Sequence, residues 1–348
     1  MQAILYILVL LVATFLLGYV FYKKDYHPQP IAAIAQAFGM GFFAMIPIFG
    51  YKFIYQNFLP LISEYELLSF LTKSSLLSGF LYFILNFALL SLVLFVLSSV
   101  LTILLTIFDH DILHNIKKSL KEEELGFVAV SVFVGILVYF ISLLEHTLGI
   151  SLMRNFLSII LFLTIIEEYV KHLVVRFMDD KKLVDIDDAI TLSVMVGLAF
   201  GVAETIVYAV VSGDLSLILY RSLLSLPIHV VASGIFGYFY GLSHFSKLIT
   251  EKTTGEKTYL FNIKWLHKAL TFKKSTVYKE EKIIEGLSLA TLFHAGCNVL
   301  FELNLAFLVV PAIISGFFIL SLLYKESHIF YKLIHTTSRK KKSIKIKA

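Results

Sequence analysis

Nine stretches of about eighteen or more mostly apolar residues recur along the chain: 2–22, 31–50, 76–108, 125–149, 152–178, 188–211, 217–245, 283–301 and 305–324. Roughly 20 helical residues cross a bilayer's hydrocarbon core, and lipid cannot satisfy an open backbone. Few folds survive that constraint. The pattern predicts an all-α, polytopic transmembrane helix bundle of about nine spans, organised as a single membrane domain over 1–348. Composition agrees: 58% of the 348 residues are hydrophobic and 16% charged, with a mean hydropathy of +0.84. Soluble domains run nearer half and a quarter. The first run lacks a basic leader and a small-residue cleavage site, so it reads as a retained span.

The basic residues assign sides to the spans. Of the 30 Lys and Arg, 25 fall after spans 1, 3, 5 and 7 or in the C-terminal tail, counting Arg176 at the end of span 5. Lys52, Lys73, Arg154 and Arg221 lie in the opposite loops, and Lys171 lies inside a span. This asymmetry predicts an outside N-terminus and a cytoplasmic C-terminus in a multi-pass protein of the cell membrane. It also locates the net charge of +5 beside spans, where it reads as topology and contact with anionic lipids, with no nucleic-acid partner. Cys297 is the sole cysteine, which excludes an internal disulfide and a thiolate metal cluster. Two stretches are expected to be cytoplasmic: the loop 246–282 and the basic tail 325–348. Within the loop, "YLFNIKWLHKALTFKK" (259–274) has the mixture of a surface-lying helix or of a plain solvated loop.

Ionisable residues inside spans are costly, at about 2.5–3.5 kcal/mol for one charge at a helix centre, and usually mark function. "TIIEEYVKHLVV" (164–175) carries four. At 100° per residue Glu167, Glu168, Lys171 and His172 share an arc of about 140°, with Glu167–Lys171 and Glu168–His172 at i,i+4. The alternative to a site is an ion pair that holds helices together. In span 6, "GLAFGVAETIVYA" places Glu204 on the face of Gly197-x-x-x-Gly201, a spacing that lets helices approach closely. In span 7, His229 heads a stripe with Ser233, Gly237 and Gly241, and Pro227 is expected to loosen the helix before it. In span 8, His294 and Asn298 are one turn apart. Glu167, His229 and His294 fall near mid-bilayer, and Glu204 up to a turn or two nearer the outer face. Four helices bringing polar groups to similar depth point to a shared polar cavity within spans 152–301. "DHDILH" echoes a zinc-binding helix through His110 and His114, but Asp111 replaces the Glu. It sits at a span end, as do Glu145 and His146, where polar residues need no special account.

Glu167-Glu168-x-x-Lys171, Phe200-x-x-x-Glu204, a lone His229 in the next span and His294-x-x-x-Asn298 together resemble the PrsW family of intramembrane proteases. That family is related to the CAAX prenyl proteases and Abi proteins. "KKDYHPQPIAAIAQAFGMG" (23–41) is similar to the family's N-terminal region. Lys171 stands where the CAAX branch usually has Arg, and Glu204 where it has His, which favours the PrsW branch. The resemblance implies an endopeptidase acting on a single-pass membrane protein such as an anti-sigma factor. Peptide hydrolysis needs a base for water, an acid for the leaving amine and donors for the oxyanion. Glu167 is then the expected base, tuned by Glu168 and Glu204, with Lys171 as counter-charge. His294 and Asn298 would meet the oxyanion, and His229 would orient water or bind metal. Zinc held by Glu167, His229 and His294 is one expectation, and a metal-free glutamate mechanism is the other. A CAAX-type endopeptidase is the alternative among enzymes. A proton- or ion-coupled transporter is the rival class, although no internal repeat supports it.

Overall fold

A computed structural model describes residues 2–46, 48–49, 151–179, 183–252 and 274–346. The expected spans 76–108 and 125–149 lie outside these residues. So do His110, Asp111, His114, Glu145, His146 and all but the last residue of 259–274. The chain divides into two compact units, one of Met1–Phe42 with Val174–Ala348 and one of Phe43–Leu173. The described residues contain helices and no strand.

The helices are α1 (Gln2–Lys24), α2 (Ile31–Phe43), α3 (Ser151–Asp179), α4 (Ile186–Ser212), α5 (Ser216–Leu223), α6 (Ser225–His244), α7 (Ser246–Lys252), α8 (Lys274–Glu302) and α9 (Ala306–Ile346). Five segments are long and apolar enough to cross a membrane: α1, α4, Ser216–His244, Ser275–Glu302 and Ala306–Tyr331. α3 coincides with the fifth apolar run, and α2 covers the first part of the second.

Local chemistry sets the ends. Asp185 caps α4: its side chain accepts from the Asp188 backbone N–H, and the Asp188 carboxylate accepts from the Asp185 N–H in return. Gly213, at φ 69°, closes the same helix in the left-handed conformation. The run 217–245 is two helices rather than one, parted at Leu224. Pro227 has no N–H to offer the Leu223 carbonyl, so it sits in the first turn of α6, where none is needed. It therefore starts a helix instead of loosening one. α8 begins nine residues before its apolar run, so 274–282 is helix and not loop.

α6 forms the centre of the first unit, packed by α4, α5, α8 and α9. Within the Ser216–His244 segment 83% of the most apolar window is buried, against 11% for α1. α1 instead exposes Ile4, Leu8, Leu11 and Phe15, a face suited to hydrocarbon. The α4–α6 contact is made by the small residues of both helices. A Cβ on Gly237 would stand 2.7 Å from the Ala189 carbonyl oxygen, and one on Gly241 2.8 Å from Ile186. A Cβ on Gly197 would collide with Ser233, and one on Gly201 would stand 2.8 Å from the His229 ring. The two stripes seen in the sequence thus pack on each other.

Candidate active site

In α3, Glu167, Glu168, Lys171 and His172 are all buried, none more than 4% exposed. The spacing offers Lys171 to Glu167 at i,i+4; the short contact is to Glu168 at i,i+3, with Lys171 Nζ donating to Glu168 Oε1 at 2.6 Å. The Tyr169 ring stands edge-on to His172, with centroids 6.2 Å apart. A buried ion pair rarely adds much net stability, but loss of one partner leaves a charge stranded at about 3–5 kcal/mol. These residues belong to the second unit, which ends at Leu173.

The first unit gathers Glu204 of α4, Arg221 of α5, His229 of α6 and His294 of α8. Glu204 Oε2 accepts from Arg221 Nη2 at 2.7 Å and meets His229 Nε2 at 2.8 Å. The Arg221 guanidinium lies over the Tyr208 ring at 4.4 Å, which steadies it where Nη2 meets the carboxylate. A carboxylate only accepts, so His229 Nε2 donates, and in a neutral ring the lone pair lies on Nδ1. His294 stands edge-on to His229 with ring centroids 4.7 Å apart. His229 and His294 are 0% and 3% exposed. Phe200 walls the His229 ring at 5.6 Å, and Gly201 leaves it room. Asn298 is partly buried on α8, one turn beyond His294.

Glu204, His229, His294 and Asn298 therefore share one unit. Arg221 is the residue that sequence reasoning missed, having counted it as loop charge. A signal was available. Glu204 lies nine residues before Gly213 and Arg221 eight after it, so a hairpin turning at Gly213 returns Arg221 to about the depth of Glu204.

Two imidazoles on adjoining helices suit zinc, which takes histidine nitrogen and carboxylate oxygen. Metal-binding histidines commonly give their other ring N–H to a carboxylate, which fixes the tautomer and raises basicity. Glu204 does this for His229. The donor chemistry of this cluster fits a metal.

A family model described as PrsW family intramembrane metalloprotease matches residues 123–324, more than half of the chain. That stretch contains every candidate residue named above. No curated protein and no solved structure matches the chain.

Proposed function

The chain belongs to the PrsW family of intramembrane metalloproteases and is a membrane-embedded protease, and on that footing we propose that it cleaves a single-pass membrane protein of the anti-sigma-factor type. The observation that carries this reading is the Arg221–Glu204–His229 chain, with Arg221 partly exposed and Glu204 and His229 buried, and His294 beside it. A purely structural ion pair would need no second imidazole edge-on to the first.

Glu167 is our general base: it takes a proton from water and later returns it to the leaving amine. Asn298 donates through its amide N–H to the oxygen on which charge develops, joined by His294 in the metal-free alternative. Glu204 and Arg221 hold the His229 ring, and Lys171 supplies counter-charge to Glu168. His229 through Nδ1, His294 and a carboxylate of the Glu167–Glu168 pair would hold zinc, with Glu168 favoured if Glu167 is the base. When bound, zinc would polarise the scissile carbonyl and lower the pKa of a water. Burial of these groups excludes bulk water and strengthens each electrostatic contact.

The test is co-expression with a panel of tagged single-pass membrane proteins, scoring cleavage against a Glu167→Gln control. Exhaustive chelation should abolish cleavage and zinc should restore it. Full activity after chelation, with no metal in the purified protein, would select the metal-free glutamate mechanism. If no member of the panel is cleaved by the parental protein, the substrate class is wrong.

A further inference from the structure

At one end of the first unit, away from the histidine cluster in sequence, three segments converge: the α1–α2 connection, the N-terminus of α4 and the middle of α9. We propose that Asp25, Asp185 and Asp187, with Asp188 behind them, hold a hard divalent cation that clasps these segments together.

The three carboxylates each place an oxygen within 4.8 Å of the others'. That spacing suits one shared ion with oxygen ligands at about 2.1–2.5 Å. All four aspartates are buried, at 4%, 2%, 3% and 0% exposure. Helix capping explains only part of this. Asp185 Oδ1 accepts from the Asp188 N–H, and Asp188 Oδ2 accepts from the N–H groups of Val184 and Asp185. Asp25 Oδ1 accepts from the His27 N–H. The remaining oxygens of these three residues, Asp25 Oδ2, Asp185 Oδ2 and Asp188 Oδ1, are buried with no donor at close hydrogen-bond distance, although the Thr191 side chain faces Asp25 and the Gln29 side chain faces Asp188. A buried carboxylate oxygen without a donor is costly, and a cation is the partner that serves several at once.

The positive charge nearby is thin. Among the described residues the ion-pair partners of these aspartates are two half-exposed histidines. His27 Nδ1 stands 3.6 Å from Asp185 Oδ2, and His328 Nε2 3.0 Å from Asp187 Oδ2. The Ser327 hydroxyl donates to Asp187 Oδ1. A divalent ion neutralises more of four carboxylates than one shared proton does. Tyr26, His27, His328 and Tyr331 pack together beside the cluster, Tyr26 edge-on to His328 and His27 stacked on Tyr331 with centroids 4.9 Å apart. The donors are oxygens, so magnesium, calcium and manganese are the ions to try, in contrast to the imidazole donors of the other cluster.

The experiment uses purified full-length protein, stripped with chelator and titrated with Mn²⁺, read by the loss of free-ion EPR signal and by thermal unfolding. The parental protein and His294→Ala should both take up Mn²⁺ at this site, with Tm rising by about 4 °C at saturating ion. Asp25→Asn with Asp187→Asn should lose that uptake and the shift. Parental-level Mn²⁺ uptake by the double variant overturns the proposal. Should that variant fail to accumulate, the His294→Ala protein decides alone: no uptake of Mn²⁺, and no Tm shift with Mn²⁺, Mg²⁺ or Ca²⁺, overturns it equally.

Discussion

Glu167 and Glu168 are neighbours with different work, and substitution separates them. Glu167→Gln keeps shape and hydrogen bonding but loses the basic oxygen. It should accumulate normally, with cleavage reduced by about a hundredfold or more, the scale of lost general-base catalysis. Parental cleavage by that variant would pass the role to Glu168 or Glu204. Lys171→Met strands the Glu168 carboxylate and should lower accumulation together with activity, by about 3–5 kcal/mol of stability. Adding Glu168→Gln removes the stranded charge and should restore accumulation without activity; failure to restore it would show that Lys171 serves another partner. Arg221→Met makes the corresponding test of the Glu204 chain. Its cleavage should fall further than that of Arg221→Lys, which keeps the charge but not the fork. Equal loss in both variants would reduce Arg221 to a specific geometric fit.

Among elements, the α4–α6 seam carries the most specific expectation. Gly201→Ala puts a methyl 2.8 Å from the His229 ring and 2.9 Å from Leu226, and overpacking of this kind costs about 1–3 kcal/mol. The ring must tilt, so cleavage should drop by more than the thermal stability of the purified protein suggests. Gly39→Ala, where nothing lies within 4 Å, is the control that should leave both unchanged. This seam was legible in the sequence because small residues at i,i+4 have one obvious use in a membrane helix. The limits of the first span were legible too: 2–22 was expected and Gln2–Lys24 is found, since hydrocarbon thickness fixes length. The break at Leu224 was not, because Pro227 alone permits either a kink or a start. Arg221 and the four aspartates were passed over for a common reason. Charges near span ends look solvated until packing shows what covers them, and a count of residues cannot show that.

For the chain as a whole, sidedness is the testable matter. Reporter fusions at Gly213 and Gly255 should report opposite sides of the membrane, the first outside and the second cytoplasmic. The same side for both would break the nine-span topology, while leaving the helices described above intact. A second consequence comes from the segment Ser216–His244, which contains α6 and is the most enclosed of the five candidate spans among the described residues and less apolar than α1. Lipid is a poor destination for a helix whose faces carry His229, Ser233 and a glycine ladder. Biogenesis should therefore be sequential and assisted: α6 leaves the translocon by binding to α4 and α5, already waiting beside it, rather than by partitioning alone. Glycosylation reporters placed after α6 would show this, with inefficient integration of the isolated segment and efficient integration once residues 186–223 precede it.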